Sequence, residues 1–287
     1  MKMDKSFWQT SRRRLFYGEK ILVMGILNVT PDSFSDGGRF DNLPRALLHA
    51  ERMIEDGADI LDIGGESTRP SGSRVTESEE IERVVPVINE IAKRFDIPIS
   101  VDTTKAGVAR AAIEAGAEII NDVSGLRFDE KIGETAAETN AGLVLMHLRG
   151  DFETMHKQEP VEDILGEVRT GLHWSLKKAR AFGVKQESIS LDVGIGFSKT
   201  FEQNLELLAK LNRICVEFAD FPILAGTSRK SFIGKILDGS TPEARLHGTM
   251  ASAALSAFNG ANIIRVHDVR AAVETLRVAG AIRAFRE

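Results

Sequence analysis

At 287 residues, 43% of them hydrophobic, the chain can bury a large core and fits one large α/β domain at least as well as two small ones. A net charge of −5 and a pI near 5.8 leave no broad basic footprint, which argues against nucleic acid as a partner; the one basic cluster, Arg12-Arg13-Arg14, reads as a solvated lead-in. The single cysteine, Cys215, excludes an intrachain disulfide framework, the charged N-terminus has no signal-length apolar core, and the longest uncharged stretch, 246–264, is too polar to span a membrane, so a cytoplasmic protein is expected.

Residues 1–19 read as a lead-in covering one end of a domain that occupies 20–287. An apolar run over about 21–27 predicts a first strand buried on both faces. After Asn28 the composition turns abruptly to Thr, Pro, Asp, Ser and Gly, the signature of a loop. A helix follows at about 43–56, with Ala46, Leu47, Ala50, Met53 and Ile54 on one face, and Gly57 stops it.

The hexad Gly57-Ala58-Asp59-Ile60-Leu61-Asp62 then has close relatives at Gly116-Ala117-Glu118-Ile119-Ile120-Asn121 and Gly260-Ala261-Asn262-Ile263-Ile264-Arg265. Each reads as a helix C-cap, a tight turn and a strand that ends in a polar residue, a repeated αβ unit. Further strands are expected at 97–102, 142–146, 189–192 and 221–226, and helices at about 77–94, 105–115, 129–139, 161–182, 200–211, 241–258 and 269–285. Eight strands alternating with eight helices in one undivided chain predict right-handed parallel crossovers closing into a single (β/α)8 TIM barrel. The helix near 243–258 is apolar and small throughout, which suggests burial on both sides in a subunit interface.

In such a barrel the loops that follow the strands share one face. The strand ends offer, in order, Asn28; Glu66, Thr68 and Arg69; Asp102; Asn121 and Asp122; Met146 and His147; Asp192; Ser228, Arg229 and Lys230; Arg265 and His267. Singly, such residues often cap helices or satisfy loop backbone. Together they set acids and amides from early and middle strands opposite cations from late strands, which suits a ligand with a hydrogen-bonding ring and an anionic tail. Asp102, Asn121 and Asp192 can pair with a flat ring bearing an amino group beside a ring N–H. Lys230, Arg265 and His267 follow strands seven and eight, where barrels often bind phosphate. The Asn28 amide oxygen suits a hard cation such as Mg²⁺, while Thr68, Arg69 and Ser228 add donors.

Two motifs fail. Gly194-Ile195-Gly196-Phe197-Ser198-Lys199-Thr200 hints at a phosphate loop, but Val193 and Ser198 stand where its glycines belong, and it lacks a third glycine for a dinucleotide fingerprint. The six histidines show no zinc spacing; His49, His156, His173 and His247 read as structural.

The segments 25–38, Asp62 to Pro70, Ser100 to Thr103, Ile120 to Gly125, Gly226 to Gly234 and Arg265 to Val269 resemble the dihydropteroate synthase family. The likeness runs from about residue 20 to the end. It implies a Mg²⁺-dependent, homodimeric (β/α)8 enzyme of folate biosynthesis. That enzyme joins 6-hydroxymethyl-7,8-dihydropterin pyrophosphate to 4-aminobenzoate. By resemblance, Asn28 holds Mg²⁺ and pyrophosphate, and Thr68 meets the pterin near its leaving group. Asp102, Asn121, Asp192 and Lys230 bind the ring beside Gly226, Met146 and Phe197 supply apolar walls, and Arg265 and His267 form the anion pocket. Phe34, Arg69, Pro70 and Ser228 border the aminobenzoate. Ser71, Val193 and Ser198 depart from the family's usual Gly, Pro and Gly.

A weakly basic amine attacking a methylene on an electron-rich ring suggests ionisation before attack. Mg²⁺, Arg265 and His267 would then stabilise the departing pyrophosphate, and Asp32 or Asp36 the cation left behind. Three other readings are a Schiff-base lysine at Lys230, a pterin-dependent methyltransferase barrel, and a non-catalytic pterin binder. The pairing of Lys230 with Arg229 and Arg265 disfavours the first, the Asn28 loop and Ser228-Arg229-Lys230 the second, and unbroken motifs the third.

Overall fold

Eight short parallel strands with Ile, Leu and Val on both faces can be buried only if their hydrogen-bonding edges meet and helices cover the outside. The computed structural model, which describes residues 6–30, 42–67, 74–155 and 157–285, shows that solution. Strands β3 (Leu22–Asn28), β4 (Ile60–Gly64), β5 (Ile99–Asp102), β6 (Ile119–Asp122), β7 (Gly142–Met146), β8 (Ile189–Asp192), β9 (Ile223–Ala225) and β10 (Ile263–Val266) close into a barrel in sequence order. Each pairs in parallel with its neighbours, and Ile263 to Val266 sit beside Leu22 to Gly25 to shut the ring.

Around the barrel run α1 (Asn42–Glu55), α2 (Glu77–Arg94), α3 (Ala106–Ala115), α4 (Lys131–Thr139), α5 (Ile164–Ala181), α6 (Phe201–Ala209), α7 (Leu211–Glu217), α8 (Ser231–Ile236), α9 (Leu246–Phe258) and α10 (Val269–Arg283). Helix α2 matches the sequence-based range because its ends are written locally: Thr76 and Glu79 form a reciprocal capping box, and Lys93 and Arg94 occupy the last turn. The three hexad glycines, Gly57, Gly116 and Gly260, all have positive φ, as chain reversal from helix to strand requires. Two helices were not expected. The run predicted over 200–211 breaks at Lys210 and continues as α7, and α8 follows Lys230.

The lead-in is a two-stranded antiparallel hairpin, β1 (Phe7–Gln9) with β2 (Arg14–Phe16). It plugs the N-terminal end of the barrel. Trp8 is wholly buried among Leu22, Met24, Ile60, Ile119, Val144, Leu224 and Ile263, and its indole donates to the Ser188 carbonyl at 2.8 Å. Arg13, expected to be solvated, instead pairs with the buried Glu118 at 2.8 Å and with Asp96, while Thr10 donates to Glu118 at 2.7 Å. A carboxylate buried that deeply requires such partners.

Helix α9 buries only one side: Ala253 and Ala257 are enclosed, but Leu255 is 61% exposed. Its second side, expected to be covered by a partner subunit, faces outward in the single chain. Among the described residues no helix is long and apolar enough to cross a membrane.

Candidate active site

Side chains alternate across a strand, so residues two apart share a face. Ile60, Ile119, Val144, Leu224 and Ile263 point into the lumen against Trp8, whereas Leu61, Ile120, Leu143, Ile223 and Ile264 face the helices. One step of two residues toward the C-terminal end turns the lumen-facing set into Asp62, Asn121, Met146, Gly226 and Arg265, with Asp102 and Asp192 ending β5 and β8. The polar residues picked out at strand ends are thus a second layer resting on an apolar floor.

Contacts knit that layer together. Arg265 donates through Nε to Asp62 and through Nη2 to Asp102, both at 2.6 Å. Asn121 donates to the same Asp62 oxygen at 3.0 Å. A methyl group added at Gly64 would lie 3.6 Å from Asn28 Oδ1 and 3.5 Å from Asp102 Cβ, so Asn28 and Asp102 border one space. At Gly226 it would lie 3.8 Å from Arg265 Cβ and 3.9 Å from Lys230 Nζ. Residues from β3, β5, β6, β8, β9 and β10 therefore open on one mouth.

Enclosure shifts the charges. Burial pushes the Asp102 carboxyl up to about 7, with Asp62 adding to the rise against the pull of Arg265. Asp192 is raised by burial too, against Lys230 and the Gly194 N–H, which donates to it at 2.8 Å. Burial lowers the Lys230 ammonium to about 8, with Arg265 adding to that effect while Asp192 opposes it. Arg265 is raised despite its burial because Asp62 and Asp102 outweigh that cost.

The loop after β8 forms one wall. Met146, Val123, Leu148 and Met155 make an apolar cluster against which Phe197 and Phe128 pack. Lys230 Nζ stands 4.8 Å from the centre of the Phe197 ring and donates to the Ile195 carbonyl. Ser198 holds φ +54°, a conformation glycine adopts freely. Its hydroxyl compensates by bonding the Arg149 N–H at 2.9 Å and carbonyl at 2.8 Å.

On the other wall His267 Nδ1 and Ser228 Oγ are 2.9 Å apart, while Arg229, at φ +57°, is tied to Asp268 at 2.6 Å. Arg229 is thereby a brace for the loop. Asp122 is a brace as well, accepting the Ser124 and Leu126 N–H groups at 2.8 and 2.7 Å. Glu66 pairs with Lys105 at 3.0 Å and accepts the Val75 N–H at 2.8 Å, which occupies it away from the mouth. His147 is buried and held neutral by burial and by Lys199. Asp32, Phe34, Asp36, Thr68, Arg69, Pro70, Ser71 and His156 lie outside the described residues.

Sequence reasoning missed Asp62. Nothing else in Ile60–Gly64 is charged, and a wholly enclosed aspartate in an apolar strand has to be paired, which was the available signal. It also missed Lys199, treated only as part of a failed phosphate motif.

Among the described residues no cluster of three or more His, Cys, Asp or Glu could hold a metal ion. A single amide oxygen at Asn28, half-buried beside Asp102, fits a Mg²⁺ that keeps most of its waters and takes its remaining ligands from a phosphorylated substrate.

The family profile described as "Pterin binding enzyme" matches residues 24–267. A dihydropteroate synthase of Bacillus subtilis (strain 168) is 50% identical over 261 residues, 91% of this chain and 88% of its own length. Among solved structures, a Xanthomonas albilineans dihydropteroate synthase with 4-aminobenzoic acid superposes with a TM-score of 0.91 at 41% identity, covering 98% of this chain and 99% of that one. A Yersinia pestis dihydropteroate synthase with a sulfonamide drug complex gives a TM-score of 0.90 at 41% identity, covering 97% and 99%.

Proposed function

The chain belongs to the dihydropteroate synthase family of pterin binding enzymes, and we propose from this premise that it condenses 6-hydroxymethyl-7,8-dihydropterin pyrophosphate with 4-aminobenzoate. The products are 7,8-dihydropteroate and pyrophosphate. The observation that supports the reading is the layer itself: Asp102, Asn121 and Asp192 lie with Lys230 and Arg265 above an apolar floor, and His267 is paired with Ser228 two residues beyond Arg265.

In this assignment the Asp192 carboxylate and the Asn121 amide read the amino and ring N–H edge of the pterin, Asp102 accepts from a second edge, and the Lys230 ammonium meets an acceptor. Met146 and Phe197 cover the ring's apolar faces. The carbon–oxygen bond to pyrophosphate breaks first, the 4-aminobenzoate nitrogen then bonds to the exocyclic carbon, and that nitrogen gives up one proton to solvent. Arg265 and His267 receive the negative charge that grows on the leaving oxygen, and Ser228 holds the His267 ring in place. Asp32 and Asp36 are assigned to the transient cation, Thr68 to the pterin near its leaving group, and Phe34, Arg69, Pro70 and Ser228 to the aminobenzoate. Mg²⁺, when bound beside Asn28, neutralises pyrophosphate oxygens.

A homodimer is part of the proposal. The exposed apolar side chains Leu255 and Phe258 of α9, with Val278 and Ile282 of the adjoining α10, support it. In sedimentation a Leu255→Lys variant is expected to run as a monomer; an unchanged dimer would move the interface elsewhere.

Incubation with the dihydropterin pyrophosphate, 4-aminobenzoate and Mg²⁺, omitting each in turn, is expected to yield dihydropteroate only when all three are present. Tight pterin binding with no product and no pyrophosphate would overturn the assignment.

A further inference from the structure

Lys199 has no role in the chemistry above, yet its ammonium is among the most heavily coordinated in the chain. Nζ lies 2.8 Å from the Gly194 carbonyl, 3.0 Å from the Phe197 carbonyl and 3.1 Å from Nδ1 of the buried His147, with the His147 carbonyl at 3.4 Å. Three donors meeting acceptors from two loops make a staple that joins the segment after β8 to the segment after β7. The intervening residues turn the other way. Ile195 gives its carbonyl to Lys230, and the Phe197 ring lies beneath the Lys230 ammonium. The loop is thus gripped by one lysine on its inner side and grips another on the side of the mouth.

The surroundings leave that loop little other choice. Gly194, at φ +70°, has no room for a side chain, since a methyl there would meet the His147 carbonyl at 2.0 Å. Gly196, at φ +81°, is confined less severely, a methyl there meeting the Lys230 side chain at 2.8 Å. Without a cation at its centre, the carbonyls of Gly194, Phe197 and His147 would converge with no donor among them, an arrangement of aligned dipoles that repels itself.

We propose that Lys199 is a positioning residue for pterin recognition, fixing the 194–198 loop so that Phe197 and the Ile195 carbonyl hold Lys230 at the ring. The proposal depends on the assignment of Lys230 and Phe197 to the pterin. Lys199→Met keeps the length of the chain and removes the donors.

The expected result is a rise of about tenfold in KM for the dihydropterin pyrophosphate, a change below about twofold in KM for 4-aminobenzoate at saturating pterin, and a matching loss of pterin affinity in calorimetry. In a Phe197→Ala background the same substitution is expected to add little, because its effect passes through the loop. An unchanged pterin KM, equal rises in both KM values with a lowered melting temperature, or full additivity with Phe197→Ala would each overturn the proposal. Should Lys199→Met not fold, the same measurements on Lys199→Gln, which retains two N–H donors on a shorter arm, decide it. Wild-type turnover in the same assay tests the reaction separately, and the calorimetric arm needs no turnover.

Discussion

Replacing Asp192 by Asn alters one atom of the mouth and almost nothing else. Asp192 is 7% exposed, and one of its oxygens accepts the Gly194 N–H at 2.8 Å. An amide can keep that bond through its own oxygen, so the loop stays anchored, but it must then turn its NH₂ toward the pterin's donors. A charge-assisted hydrogen bond is lost and two donors are set face to face, a cost of about 1.5–3 kcal/mol, or roughly 10- to 150-fold in affinity. The neighbouring Lys230 would lose the charge that supports its protonation, so its pKa should fall below about 8. Titration calorimetry with the dihydropterin pyrophosphate reads the affinity, and a thermal melt within a few degrees of wild type confirms the fold. A loss smaller than about threefold would refute ring recognition by this carboxylate.

Other consequences are as direct. Trp8→Ala empties the plug and strands the Ser188 carbonyl, and is expected to cost about 3–5 kcal/mol in denaturant unfolding while leaving kcat at 25 °C within about twofold; a loss under about 1 kcal/mol would show the hairpin to be decoration. Asp102 is protonated below about 7, so pterin binding at about pH 6 should release a proton to buffer; at about pH 9, where Lys230 has lost its own, it should take a proton up. Calorimetry in buffers of different ionisation enthalpy measures both signs, and no linkage at either pH would refute the assignment. The empty fold should meanwhile lose stability between pH 3.8 and about 7, because over that range the unfolded chain has released an Asp102 proton that the folded chain retains. Gly196→Ala forces a methyl to within 2.8 Å of the Lys230 side chain at φ +81°, and should lower turnover tenfold or more; the backbone strain adds about 1–2 kcal/mol, visible as a lowered melting temperature. Wild-type turnover in that variant would release Lys230 from its role.

The barrel could be read from the chain because its signals are local. Each hexad contains its own C-cap glycine, turn and strand of Ile and Leu, and three near-copies mark the repeated αβ unit. The hairpin was illegible for the opposite reason: strands of three residues carry no periodicity, and only the lumen that receives Trp8 gives them a purpose. The ends of β3, β5, β6, β8 and β10 could be named as a site since a polar residue closing an apolar run stands out. Asp62 closes such a run too but was given no site role, and Lys199 closes none. The partners that neutralise them, Arg265 and the carbonyls of Gly194, Phe197 and His147, come from distant positions that only the closed ring brings near. Arg229 shows the reverse error, a cation that looks available in sequence but is bound to Asp268.

Arg265 enters the reaction with its charge already answered. Two carboxylates occupy Nε and one Nη before any substrate arrives, so an incoming dianion has to share the guanidinium rather than capture it. On the proposed assignment, an isolated arginine would cling to free pyrophosphate, whereas one balanced by Asp62 and Asp102 would hold it loosely and let the spent leaving group drift out of the mouth.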